Sequence, residues 1–157
     1  MKYHITLTDL LLKKELIVSI LKENQKTIIY GNFYIDDKDK INIRELIKEQ
    51  LKLREDLILV KSTIQKINLD AGKDKVIYEL TELNQQLYAN TKTLALSIKK
   101  SSYKSEKSVK ELQAERKILE EKIENYKRTL TVFNENTNID IELSSEISLP
   151  KPIQKLA

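Results

Sequence analysis

The chain contains no cysteine. Disulfides, thiol catalysis and thiolate metal sites are therefore excluded. Histidine occurs once, as His4, so a His-based metal centre or base has no second imidazole to work with. Two glycines and two prolines are all that 157 residues supply. No glycine-rich phosphate loop and no Gly-x-Ser-x-Gly elbow is present, and a serine triad has no partner histidine beyond the terminus. Nor does any run approach the ~20 apolar residues of a membrane span. The nearest, Leu57-Ile58-Leu59-Val60, is closed off by Asp56 and Lys61. The opening Met1-Lys2-Tyr3-His4 is too short and polar to begin a signal peptide. The expectation is a cytoplasmic, non-enzymatic protein with no cofactor, no metal, no membrane span and no small-molecule substrate.

What is present is charge and periodicity. Charged residues make up 33% of the chain and hydrophobic ones 40%, a mixture with few breakers that suits long amphipathic helices. Between Val109 and Phe133 the positions Val109, Leu112, Arg116, Leu119, Ile123, Tyr126, Leu130 and Phe133 alternate steps of three and four. Leu46, Gln50, Leu53, Leu57, Val60, Ile64 and Ile67 repeat the pattern with one polar break. Such spacing places one stripe on one side of a helix, to be buried against another helix.

Local signals set the boundaries. Thr6 with Asp9 three residues on resembles a capping arrangement, so a first helix starts near Thr6 or Thr8 and fades around Asn24. Its apolar residues cover more than one face. Thr27 to Ile35 holds two β-prone triplets around Gly31-Asn32, which predicts a short β-hairpin with a type II′ turn or an extended excursion. Asn42 with Glu45 and Ser108 with Glu111 form capping boxes that open the second and fourth helices. Gly72 breaks the chain between the second helix and a third spanning about Lys73 to Lys99. Asn84, Asn90 and Thr91 interrupt the inner face of that third helix, where polar groups can fix register. Short loops between long helices force antiparallel neighbours. The fold class read from these features is all-α: an elongated antiparallel bundle of about four helices. Residues 1–143 form a single domain, and 144–157 form an extended or flexible tail.

Three constellations could carry chemistry. Asp36-Asp37-Lys38-Asp39 with Glu45 fails the calcium-loop pattern, because Ile41 falls at a ligand position and no glycine follows. Glu120, Glu121 and Glu124 lack the Glu-x-x-His of carboxylate di-metal sites and lie among Lys117, Lys122, Lys127 and Arg128, which favours surface pairing. Net charge is +4, and the excess is local. Lys99, Lys100, Lys104, Lys107 and Lys110 surround Tyr103 with Glu106 as the one acid, a candidate contact for nucleic acid or an anionic surface. The cluster has no arginine and one aromatic, so it is poorly equipped for base readout or stacking.

Three segments together resemble the DIP1984 family, small bacterial helical proteins sometimes labelled septicolysin-like. Leu7-Thr8-Asp9-Leu10-Leu11-Leu12-Lys13-Lys14-Glu15-Leu16 is similar to that family's opening helix. Leu46, Leu53, Leu57, Ile64 and the pair Ile67-Asn68 are similar to its second helix. Thr137-Asn138-Ile139-Asp140-Ile141-Glu142-Leu143 is similar to its closing segment. The resemblance implies an all-helical antiparallel bundle that self-associates, with no established activity. A lytic role is not expected, since no cysteine, tryptophan segment or membrane-inserting hairpin is present. The leading expectation is a homo-oligomer, closed by burial of leftover apolar surface. The candidate interface residues are Leu12, Leu16 and Ile20 on the first helix, Tyr30, Phe33 and Tyr34 on the excursion, and Tyr126 with Phe133.

Overall fold

The computed structural model describes residues 1–34, 36–37 and 40–146. The described residues form four helices and one small sheet: β1 (Lys2–Thr6), α1 (Leu7–Gly31), α2 (Ile43–Asp70), α3 (Lys73–Lys99), α4 (Val109–Asn136) and β2 (Asn138–Glu142). It divides into two compact units, one of residues 1–67 with the segment from Asn134 onward, the other Asn68–Phe133.

In the first unit β1 and β2 pair antiparallel, with Tyr3 opposite Ile141, His4 opposite Asp140 and Ile5 opposite Ile139. Side chains alternate across a strand. Ile139 and Ile141 are accordingly buried while Asn138, Asp140 and Glu142 face water. Backbone bonds extend the ladder at both ends, from Leu7 N–H to Thr137 O and from Leu143 N–H to Met1 O, each 2.8 Å. An isolated two-stranded ribbon is marginal; this one buries its inner face in the core of its unit. That core comprises Ile139, Ile141 and Leu143 with Leu7, Leu10 and Ile17 of α1 and Leu53, Val60 and Ile64 of α2. Each fully buried aliphatic side chain contributes about 1.5–3 kcal/mol.

The start of α1 is the capping box expected from Thr6 and Asp9: the Asp9 N–H donates to Thr6 Oγ1 at 3.2 Å and the Thr6 N–H to Asp9 Oδ2 at 3.2 Å. The hairpin expected at Thr27 to Ile35 is not formed. Residues Thr27 to Gly31 are the last turns of α1. A type II′ turn needs positive φ at its glycine, and among the described residues only Gly72 adopts one. Residues Ile35, Lys38 and Asp39, which that expectation and the acidic turn also include, lie outside the described residues. The sheet is built instead from the two ends of the unit. Past Gly31 the chain returns closely. A Cβ on Gly31 would stand 3.0 Å from Ile41 Cδ1 and 3.2 Å from Ile43 Cδ1. Further along, the Gln50 amide comes within 3.5 Å of the Leu21 carbonyl, so α1 and the first part of α2 run antiparallel. Gln50 is the polar break in the α2 seam. It is buried, and its nitrogen is turned to that carbonyl.

The second unit is an antiparallel pair, α3 with α4. Asn90 Nδ2 donates to Leu112 O at 3.0 Å. Tyr126 is hydrogen-bonded to Glu79, and Lys73 Nζ lies 5.3 Å from the centre of the Phe133 ring. Leu94, Leu112 and Ile123 are its buried apolar residues. Gly72, in the left-handed region at φ +63°, turns the chain into α3. The Ser108–Glu111 box opens α4: the Ser108 N–H donates to Glu111 Oε2 at 2.7 Å and the Glu111 N–H to Ser108 Oγ at 3.2 Å. Hydrogen bonds to the carboxyl from the Ser108 backbone N–H and hydroxyl hold Glu111 below its ordinary pKa.

Candidate interaction surfaces

Apolar side chains are divided unevenly between core and solvent. Among the described residues twelve hydrophobic side chains are buried and nineteen large ones are exposed. Single exposed apolar residues are ordinary, whereas clusters mark contact surfaces. The densest cluster lies at the end of α1 and in the turn that follows. Tyr30 is 77% and Phe33 81% exposed, Ile29 and Tyr34 are exposed beside them in sequence, and so is Ile41 eight residues past Phe33. Two aromatic rings are thus left largely in water. Lys40 Nζ stands 5.7 Å from the centre of the Tyr34 ring.

The other interface residues expected from sequence are placed differently. Leu12 is exposed, while Leu16 and Ile20 are half-buried along α1. Tyr126 and Phe133 are half-buried in the α3–α4 pair. The hydrogen bond and the negative charge of Glu79 raise the Tyr126 hydroxyl above the usual tyrosine pKa. The groove there, about 650 Å³, is lined by Tyr78, Glu79, Leu83, Lys122 and Tyr126 among others. These two rings are engaged inside their own helical pair.

A further set of exposed residues escapes the sequence reading. Ile47, Leu51 and Ile58 of α2 are 42%, 56% and 68% exposed. They recur at helical spacing on the side of α2 away from Gln50, Leu53, Val60 and Ile64. The strong seam on the buried side masked this weaker stripe.

The basic segment is exposed from Lys99 to Ser108. Its charge is partly spent at home. Lys107 Nζ contacts Glu115 Oε1 at 2.7 Å, which raises the lysine pKa. Lys100 Nζ lies 5.5 Å from the Tyr103 ring centre. Lys99, Lys104 and Lys110 remain directed to solvent. Of the three α4 acids singled out in the sequence, Glu120 is in an i,i+4 surface pair, with Arg116 Nε at 2.8 Å from its Oε1.

Two buried charges have structural surroundings. Lys13 is 1% exposed, with its Nζ 3.9 Å from the centre of the Tyr3 ring. Burial pushes its pKa down, and nearby Asp9 partly offsets that. Asp56, also buried, sits mid-way along α2. Burial alone would raise its carboxyl. Hydrogen bonds from the hydroxyls and backbone N–H groups of Ser145 and Ser144 outweigh that and hold it below the ordinary carboxylate pKa. His4 Nδ1 lies 2.7 Å from Asp140 Oδ1 on the open face of the sheet, joining cross-strand neighbours. Among the described residues no group of three or more His, Asp or Glu side chains is placed to hold a metal ion. No helix there is long and apolar enough to cross a membrane. Comparison of the chain with protein-family models, with characterised proteins and with solved structures finds no match.

Proposed function

We propose that this protein acts by self-assembly, as a non-enzymatic, cytoplasmic helical-bundle protein whose partner is a second copy of itself. The observation that supports this best is the exposed aliphatic and aromatic cluster at the end of α1: Ile29, Tyr30, Phe33, Tyr34 and Ile41. Large aromatic side chains are the usual anchors of protein interfaces. Among the described residues that follow them in sequence, Asp36 and Asp37 are acids and Lys40 a base, a mixed charge that favours a protein surface over an anionic lipid one. The similarity of the opening helix and closing segment to the DIP1984 family belongs to the same proposal, because that family's bundles are expected to self-associate.

A polyanion-binding role for Lys99, Lys100, Lys104, Lys107 and Lys110 is the second reading, and the Lys107–Glu115 pair weakens it. Two sets of variants separate the readings. Under self-assembly, Phe33→Asp or Tyr34→Ala lowers the solution mass, and replacing Lys99, Lys100, Lys104 and Lys110 by Gln leaves it unchanged. Under polyanion binding, the Gln variant loses salt-sensitive retention on nucleic acid, and Phe33→Asp has no effect on either property.

A further inference from the structure

We propose that α2 pairs antiparallel with α2 of a second copy through Ile47, Leu51 and Ile58. This rests on the self-association proposed above and assigns it a surface distinct from the aromatic cluster at the end of α1.

At 3.6 residues per turn, Ile47, Leu51 and Ile58 fall within about 40° of one another around α2, roughly 130° from its buried seam. All three are exposed, Leu51 and Ile58 by more than half. The steps of four and seven, with Arg54 filling the intervening position, are those of a coiled-coil stripe. A helix with two such stripes, one buried in its own unit and one open, is built to lie between two neighbours.

The stripe is complementary to itself when reversed. Turned end for end about the point between Lys52 and Leu53, α2 sets Ile47 against the partner's Ile58 at both ends of the seam. Leu51 then meets the alkyl stem of the partner's Arg54, a side chain whose stem covers apolar surface while its charge stays in water. Lys48 falls two positions from the partner's Glu55, so the two-fold axis makes this attraction twice. At the rim Arg44 faces the partner's Lys61, a like-charge pair that solvent and salt screen. A parallel alignment would place Arg54 against Arg54 in the middle of the seam. Arg54 within the stripe and Glu55 beside it also make the face ill-suited to a lipid surface.

The absence of cysteine makes the register directly testable. Ile47→Cys and Ile58→Cys chains are prepared separately, mixed, and treated with a thiol-to-thiol cross-linker shorter than ~10 Å. Antiparallel pairing about this axis brings the two different cysteines together. It keeps like cysteines eleven residues, about 16 Å, apart. Covalent dimer in the mixture, several-fold above either variant alone, is the expected result. Leu51→Asp is expected to lower the mass and Leu51→Met to retain it, with unchanged helical circular dichroism in both. Equal cross-linking in the mixture and in the separate samples, with the unsubstituted chain still oligomeric, would overturn this seam and leave self-assembly standing through another face. A monomeric unsubstituted chain would overturn both.

Discussion

Asp56 of α2 and Ser144, just past β2, are 88 residues apart in the chain, and Asp56 Oδ1 accepts hydrogen bonds of 2.8 Å from both the N–H and the hydroxyl of Ser144. The other carboxylate oxygen accepts from the Ser145 N–H at 2.9 Å and from the Ser145 hydroxyl. One buried carboxylate thus ties the end of the sheet to the middle of a helix.

Removing that carboxylate leaves donors without an acceptor. Asp56→Asn is expected to cost about 2–3 kcal/mol, a fall in melting temperature of roughly 5–10 °C. The pH dependence has a definite sign. The folded-state pKa is depressed, so the contribution is fully present above the unfolded value of ~3.9. It is lost as pH falls from there through the folded value. Urea midpoints of the two proteins should differ at pH 7 and draw together as pH falls below the unfolded value of ~3.9. A constant difference across that range would show that the carboxylate's charge is not what matters.

Asn90 presents the opposite case. Its Nδ2 donates to Leu112 O, but its buried Oδ1 has no hydrogen-bond partner. An orphaned buried acceptor costs about 1–3 kcal/mol. Asn90→Leu, similar in volume, is expected to be neutral or stabilising by up to about 1 kcal/mol, despite losing a hydrogen bond. Asn90→Asp should destabilise by more than about 2 kcal/mol, because it buries a charge there and sets an oxygen, in place of the donating Nδ2, against Leu112 O. Denaturant titration of both variants checks the pair of signs.

Gly72 is where backbone geometry alone decides. A side chain there would meet nothing within 4 Å, so crowding is no obstacle. Its φ of +63° is the obstacle, and Gly72→Ala should cost about 1–2 kcal/mol. Gly72→Asn, which tolerates the left-handed region, should cost less. A thermal melt ranking Gly above Asn above Ala is the expected order.

Much of the helical framework was legible because its signals are local. The boxes of Thr6 with Asp9, Asn42 with Glu45 and Ser108 with Glu111 each span four residues. The seams of α2 and α4 repeat over several turns. The sheet was less legible, since each strand is five residues long and its partner lies at the other end of the chain. The alternation of Tyr3 and Ile5 with Lys2, His4 and Thr6 was present, but it carries meaning only beside Ile139 and Ile141. At Thr27 to Gly31 β-propensity pointed to strand, and continuation of α1 with Ile41 and Ile43 packed on Gly31 overrode it. Of the candidate surface, Tyr30, Phe33 and Tyr34 are exposed as an interface needs. Ile47, Leu51 and Ile58 went unread because α2 already had a stronger stripe. The Asp56 tie has no local signature at all, because its donors are serines on a distant segment.

The central claim is self-assembly, and the mass of the unsubstituted chain in solution tests it most directly. Light scattering after size exclusion, at low and at high salt, should give a stable multiple of 18.4 kDa in both, because the proposed contacts are chiefly apolar and salt does not weaken them. A mass of one chain across the concentration range would contradict the account.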